Sequence, residues 1–545
     1  MNDLACPGVL AWVLHAHLPF VRHPAHDDFL EERWLFEAII ECHVPLIWVL
    51  EGWERDGVPG SWTMSVSPTL AAMLSDGLLR SRFERHLGRL ERLARDEEVR
   101  RSLQPAWQRA AMFQRRRIGR VRRTWEAIGG DLIGAWRGWE AAGRLGLITC
   151  GATHALLPLL AGTPWAVRAQ VAVAVAEHRR HFGRHPRGFW LPECAYAPDV
   201  EPALREAGVE WTILETHGLL GARPSPERGV LAPIRTPRGL ACFGRDPGSA
   251  RQVWSRDVGY PGDPRYREFH RDVADDAEWG YVEPHATGTG QRVPTGLKLH
   301  RVTGPGLEKE PYDPGAASEA VAEHARHFVG ERLRWLGGRL DGRGSGGVGE
   351  GGDPPPLVVA PYDAELFGHW WMEGPEFLDA VAREALARGL KLGWLGERPA
   401  WMECAQVAQP VASSWGEGGH LGVWLDESNV WMQRPLRGMT RRLGEWLRAP
   451  EACMGEGAGG ATSPRGRCLR QAAREWMLAW ASDWPFLVRM GTARAYAEAR
   501  FRAHVGRFDR LEAMAMGREV MDEAWLAKVE DEDNLFPGME PSLWR

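Results

Sequence analysis

Two acidic residues stand where an acid is costly. In GFWLPECAYAP, Gly188 to Pro198, Glu193 is surrounded by Trp190, Pro192, Tyr196 and Pro198. An ionised carboxylate beside indole and phenol rings loses hydration, so it must accept hydrogen bonds, pair with a cation or shift its pKa. In PPLVVAPYDAELFGHWWMEGPEF an apolar run passes through Pro361 and Tyr362 into Asp363 and Glu365, with Phe367, His369, Trp370 and Trp371 just behind. If the chain stays extended there, Asp363 and Glu365 share one side; the structural alternative is that Asp363 caps a helix. Together, Glu193 and Asp363 meet the requirement of a retaining glycosidase. One carboxylate attacks the anomeric carbon, while the other protonates the leaving oxygen and then deprotonates the acceptor, at a separation of roughly 5–5.5 Å.

Histidines offer a second chemistry. The HAH of VLHAHLPF sets His15 and His17 two apart, on one face of a strand, where both could converge on a metal or a substrate. His154 and His217 also follow predicted strands, and Asp363 could complete a hydrolytic metal site like those of barrel deacetylases and amidohydrolases. The alternative is a set of histidines hydrogen-bonded within a packed mouth.

These residues need elements that bring them together. Short apolar runs ending in polar or Gly/Pro segments recur through the first three quarters of the chain: LAWVLHAH, WTMSVSP, LGLITCGATH, GFWLPECAY, EWTILETHG, PLVVAPYDAE and LKLGWLG. Apolar strands alternating with helical stretches predict a parallel α/β core, and polar residues gathered at strand ends are where a (β/α) barrel carries its chemistry. The rival is an open doubly wound sheet, but no GxGxxG turn follows any of the runs. Between the second and third runs, residues 75–144 are rich in Leu and Arg at helical spacing and predict an inserted helical subdomain. Its FQRRRIGRVRRTW run is interleaved with acidic neighbours and reads as a solvated helix face. Gly337 to Pro356 and Met454 to Arg467 are glycine-rich and predict surface loops. The pattern divides the chain into a catalytic barrel over 1–400 and a helical C-terminal domain over 401–545.

Composition narrows the partners. With 67 basic against 72 acidic side chains, the net charge of -5 supplies no field for nucleic acid or an anionic membrane. Cys6, Cys42, Cys150, Cys194, Cys242, Cys404, Cys453 and Cys468 show no CxxC spacing, which fits free thiols in a reducing compartment. The N-terminal MNDLACPGVLAWVLHAHLPF lacks a basic leader and a small-residue cleavage site, so the expected location is cytoplasmic. Tryptophan is abundant, 28 residues against 7 tyrosines, and indole faces stack on the apolar C–H faces of sugar rings.

The combination HAHLPF, CGATH, WLPECAY, APYDAELFGHWW and SSWGEGGHLGVWL resembles glycoside hydrolase family 57, and within it the members that branch α-1,4-glucans. The likeness extends over nearly the whole chain, including GRDPGSARQVWSRDVGYPGDPRYREF and EDEDNLFPG. It implies a (β/α)7 barrel with a helical insertion and a helical C-terminal domain, needing no metal or other cofactor, with an α-1,4-glucan as both donor and acceptor. By motif, Glu193 is the nucleophile and Asp363 the general acid/base. His15 and His154 would line the sugar subsite at the cleaved bond, Trp34, Trp279, Trp415 and Trp424 would be stacking walls, and Arg245, Gly262 and Asp483 would be further glucan contacts.

Two departures bear on the outcome of the reaction. Glu215 in ILETHG stands where the family pattern leads one to expect Asp, and GARPSPERGVLAPI has Arg228 and Leu231 where tyrosines are common. A loop tyrosine over the cleft would exclude water, so its absence weakens transfer relative to hydrolysis. The expectations are therefore a branching transferase, an α-amylase-like hydrolase on the same carboxylates, a non-catalytic glucan-binding protein, or a metal-dependent deacetylase.

Overall fold

The computed structural model describes residues 8–255, 258–286, 292–304, 306, 308–341, 354–397, 399–448 and 463–544. Most of the two glycine-rich stretches lies outside them, as do Cys6 and Cys453.

β1 (Val9–Ala16) reads VLAWVLHA and is buried at every position. A strand apolar on both faces needs cover on both, which it receives in a parallel sheet wrapped by helices. The remaining strands are β2 (Trp62–Val66), β3 (Leu145–Cys150), β4 (Gly188–Trp190), β5 (Trp211–Leu214), β6 (Ile234–Arg235), β7 (Ala241–Gly244), β8 (Leu357–Asp363), β9 (Lys391–Leu392) and β10 (Gln406–Val407). The order β7-β5-β4-β3-β2-β1-β8 is parallel throughout. Its two ends meet where Arg245, directly after β7, bridges to Val359 of β8, and the Asp246 N–H donates to the Val359 carbonyl at 2.8 Å. The seam is one bridge, not a ladder, because the free edge of β7 carries the short antiparallel β6, with β10 beside it. This is the expected (β/α)7 barrel.

One strand differs from expectation. LKLGWLG contributes only the two-residue β9, which pairs with β1 off the main path. The seventh barrel strand is β7, reading ACFG, too short and too poor in β-branched residues to announce itself.

Between β2 and β3 lie helices Gly77–Arg100, Pro105–Ala127 and Leu132–Ala141. Asp76 caps the first by accepting from the Leu79 N–H at 2.9 Å, and Leu79, Phe83, Leu87, Leu90 and Ala94 bury one face at helical spacing. Arginines of the basic run are engaged within the chain: Arg117 with Glu376 at 2.7 Å, Arg122 with Glu91 at 3.0 Å, and Arg120 over the Trp48 ring at 4.1 Å.

After β10 the chain is helical: Gln433–Arg448, Pro464–Ala479, Asp483–Met490, Arg494–Ala515 and Glu523–Glu532. The elbow between the second and third of these reaches the barrel, since Ala481 bridges Ala155 and the Ser482 N–H donates to the His154 carbonyl at 3.2 Å. Among the described residues, no helix is long and apolar enough to cross a membrane.

Candidate active site

Parallel strands all end on one face, and both acids stand there. Glu193 follows β4 by three residues and Asp363 is the last residue of β8. Around the ring, β4 and β8 are separated by β3, β2 and β1 on one side and by β5 and β7 on the other. Their acids therefore approach from opposite walls of one mouth.

The backbone that delivers Glu193 is strained. Glu193 (φ 59°) and Cys194 (φ 51°) occupy the left-handed region in succession, and His154, at the end of the neighbouring β3 loop, does the same with φ 58°. Non-glycine residues pay to sit there, and three of them in one mouth mark a geometry fixed by its surroundings.

Glu193 is clamped at both oxygens. Trp415 Nε1–H donates to Oε2 at 2.8 Å, and the Ser482 hydroxyl lies 2.9 Å from Oε1. Burial pushes its pKa up to about 7, with the nearby charges of Asp363 and Asp483 adding to the rise and the two hydrogen bonds opposing it. Asp363 occupies the N-cap position of the turn Ala364–Leu366, yet its side chain makes no capping bond. Among the described residues its carboxyl has no hydrogen-bond partner. Burial raises it to about 6, opposed by His17 and Arg245 and reinforced by Asp483. The contrast lies in bonding: Glu193 is built to accept, and Asp363 is free to carry a proton. Glu365 does not share its side, because the chain turns directly after Asp363; it is buried near His43, at 3.6 Å.

The histidines form a network with both acids in view. His15 pairs in register with Ser65 of β2 and Asp363 of β8. Its Nδ1 lies 3.1 Å from Ser65 Oγ and its Nε2 2.9 Å from His154 Nε2, while His154 Nδ1 lies 2.8 Å from Ser482 Oγ. His17 stacks on His154 at 3.8 Å between ring centres, and its Nε2 meets Asp483 at 3.2 Å. His17, His154 and Asp483 offer donor atoms within 4.8 Å of one another, as do His15, Cys150 and His154. Both nitrogens of His15 and His154 are taken by hydrogen bonds, however, and burial lifts the Cys150 thiol well above its usual range. His217, the fourth histidine of the metal reading, turns away to the Gly419 carbonyl at 3.1 Å.

The remaining expected contacts divide. Trp415 stands beside Glu193, with the Trp190 ring 5.0 Å and the Trp254 ring 6.2 Å from its own and the Arg245 guanidinium 5.6 Å above it. Arg245 Nη1 donates to Glu215 at 2.8 Å, so the departing Glu215 still reaches its cation. Trp424 is 2 % exposed, buried with Leu156, Ala195 and Val423 in a cluster against which Trp415 packs. Trp34 meets Tyr496 edge-on at 5.7 Å, and Trp279 lies under the Arg292 guanidinium at 5.7 Å. Among the described residues, no ring or hydrogen-bond contact joins either to the acid pair. Gly262, itself exposed, ends the turn Tyr260–Gly262, whose Tyr260 is buried, with open space where a side chain would stand.

Ser482, Ser65 and Trp254 escaped the sequence reading. The polar Ser65 inside a buried strand opposite HAH was the one available signal; Ser482 had only its neighbour Asp483 to draw notice.

Residues 11–320 match the family model described as glycosyl hydrolase family 57, and residues 453–544 match that of the 1,4-alpha-glucan branching enzyme C-terminal region. A 1,4-alpha-glucan branching enzyme of Thermococcus kodakarensis is 33% identical over 562 residues, spanning 97% of this chain and 77% of its own. The solved structure of the α-amylase AmyC of Thermotoga maritima is similar at a TM-score of 0.88 and 37% identity, covering 98% of this chain and 99% of its own. That of a GH57-type branching enzyme of Pyrococcus horikoshii gives 0.85 and 32% identity, covering 99% and 97%.

Proposed function

The chain belongs to glycosyl hydrolase family 57, and from that membership we propose that it is a retaining 1,4-α-glucan branching enzyme, cutting an α-1,4 bond and rejoining the released chain to a 6-hydroxyl. The observation that carries the proposal is the pair of acids on opposite walls of one barrel mouth, one with both oxygens held by donors and the other bare.

Glu193, fixed as an acceptor, attacks the anomeric carbon, and Asp363 gives its proton to the departing glycosidic oxygen. Asp363 then takes the proton of the incoming 6-hydroxyl as that oxygen displaces Glu193. In the free protein burial raises both carboxyls, Glu193 to about 7 with the charge of Asp363 adding to the rise, and Asp363 to about 6. Hydrogen bonding distinguishes the two roles, since both carboxyls are raised and Glu193 stands no lower than Asp363. Trp415 presents a ring to the sugar while its N–H holds the nucleophile. His17 Nδ1 is buried and has no hydrogen-bond partner among the described residues, while its Nε2 holds Asp483 beside the two acids. Trp34, Trp279 and Gly262 belong to outer subsites for the donor and acceptor chains.

No step requires a metal, so a chelator should leave activity intact. The division into a barrel over 1–400 and a helical domain over 401–545 follows the same reading, with the second part lending Trp415, Ser482 and Asp483 to the site. Free thiols at Cys42, Cys150, Cys194, Cys242, Cys404 and Cys468 support a cytoplasmic location.

A hydrolytic reading is favoured by the lack of any Phe, Tyr or Trp in residues 216–233. Incubation with amylose followed by debranching separates the two. New α-1,6 linkages support branching; reducing ends without branches support an α-amylase-like hydrolase; no change would leave only a glucan-binding role.

A further inference from the structure

Behind Glu193 runs a line of four side chains, Ser65, His15, His154 and Ser482, each at most 3 % exposed. They come from β2, β1, the loop after β3 and the elbow between two C-terminal helices. Each touches the next through polar atoms, at 3.1, 2.9 and 2.8 Å, and the last meets Glu193 Oε1 at 2.9 Å.

Proton counting makes this line directional. A neutral imidazole carries one N–H, and burial keeps both His15 and His154 neutral. An ionised Glu193 only accepts, so the Ser482 O–H must point at it. Ser482 Oγ then accepts from His154 Nδ1–H, leaving His154 Nε2 to accept from His15 Nε2–H and His15 Nδ1 to accept from Ser65. A single order of protons satisfies every atom.

We infer that Ser482 is a positioning residue for the nucleophile: it terminates a four-residue hydrogen-bond chain whose proton order matches an ionised Glu193, and with Trp415 it holds both carboxylate oxygens. The inference rests on the nucleophilic role proposed for Glu193. Among the described residues no other group bonds Oε1, and His154 Nδ1 lies 3.7 Å from it, beyond hydrogen-bond reach. The other titratable groups facing Glu193 are Asp363, Asp483 and the thiols of Cys150 and Cys194.

The test is the pH profile of kcat/KM for glucan scission, counting new branches plus new reducing ends, in the wild type, Ser482→Ala and Ser482→Thr. In Ser482→Ala the acid limb, where Glu193 must be ionised, should move upward by about one pH unit, kcat should fall at least about tenfold and KM should stay within about twofold. Ser482→Thr should restore both limb and rate. An unmoved limb in Ser482→Ala overturns the inference, as does equal damage by threonine, which would indicate packing alone. Should the alanine variant not fold, histidine ¹⁵N resonances of the wild type above pH 8 decide: the chain requires Nδ1–H on His154 and Nε2–H on His15, and the reverse pair overturns it. A wild type with no action on glucan would refute the proposed function instead, while the tautomer measurement would still stand.

Discussion

Trp415 grips Glu193 twice. Its indole N–H donates to the Glu193 carboxylate at 2.8 Å, and its backbone N–H donates to the Glu193 carbonyl at 3.1 Å. The residue therefore secures both the side chain and the strained left-handed backbone of Glu193, the proposed nucleophile, while its ring faces Trp190 and Trp254. Trp415→Phe keeps the ring and the backbone bond and removes one donor. Its kcat should fall roughly 10²-fold, the usual cost of one donor at a reacting group, with KM for amylose little changed. Trp415→Ala should raise KM as well, because the stacking face is lost; initial rates against amylose concentration separate the two effects.

The two carboxyls can be told apart by stereochemistry. Glu193→Ala and Asp363→Ala should each reduce turnover by several orders of magnitude, on the order of 10⁴-fold or more, without loss of folding. With an α-glucosyl fluoride donor and added azide, Glu193→Ala should yield the β-azide, because azide enters from the face the nucleophile has vacated. Asp363→Ala should yield the α-azide, because azide there displaces Glu193 from the glucosyl-enzyme. NMR of the products reads the assignment directly, and exchanged outcomes would reverse it.

Burial of Glu193 has a cost that depends on pH. Its carboxyl is raised in the folded chain to about 7, so folding is unpenalised below its unfolded pKa near 4.5 and penalised increasingly up to pH 7. Glu193→Gln removes the ionisation. Its stability gain should be about 1–3 kcal/mol at pH 8 and vanish near pH 4, read as the difference in urea midpoints at the two pH values. A gain independent of pH would show that packing, not ionisation, sets the cost.

The parts of this protein that were legible in its sequence are those with a strong local pattern. The apolar run Val9–Leu14 of β1 and the leucine spacing from Leu79 to Leu90 announce their own environments. β7 could not, because ACFG becomes a strand only through neighbours on β5 and the closing bridge from Arg245 to Val359. At the site, Glu193 and Asp363 stood out because acids among aromatic residues demand a reason. Ser482 did not, since a serine after a helix is common, and its partnership with Glu193 spans 289 positions. The contact of His15 with His154 depends on the left-handed turn at His154, which a histidine's identity does not disclose. Trp424, a stacking wall by motif, is buried with Leu156, Ala195 and Val423 in a cluster against which Trp415 packs, a surrounding its own segment does not announce.

A second buried acid cluster should govern the C-terminal helices. Asp533 is fully buried and paired with Arg500 at 3.3 Å and with Arg507; against burial, these cations and His504 hold its carboxyl at about 2. Its contribution to stability is present above its unfolded pKa near 3.8 and is lost as pH falls through about 2. Asp533→Asn should cost about 3–5 kcal/mol at pH 7, because two guanidinium groups lose their counter-charge. Denaturant unfolding at pH 7 checks the size.

The balance between transfer and hydrolysis turns on what covers the mouth. Arg228 does not: its guanidinium donates to the Pro354 carbonyl at 3.0 Å, at the N-terminal end of β8, away from Asp363. Leu231 does not either, being 7 % exposed and part of the core. With no Phe, Tyr or Trp supplied by residues 216–233, water would compete with the 6-hydroxyl for the proposed glucosyl-enzyme. The wild type should therefore release reducing ends alongside branches throughout a digest of amylose. Placing tyrosine at these positions should not correct this. Leu231→Tyr overfills a packed site and should lower stability by about 1–3 kcal/mol, while Arg228→Tyr should leave the ratio of branches to reducing ends within about twofold of the wild type. Both products counted in one digest give that ratio, and a several-fold rise in Arg228→Tyr would show that this loop closes over the mouth when glucan is bound.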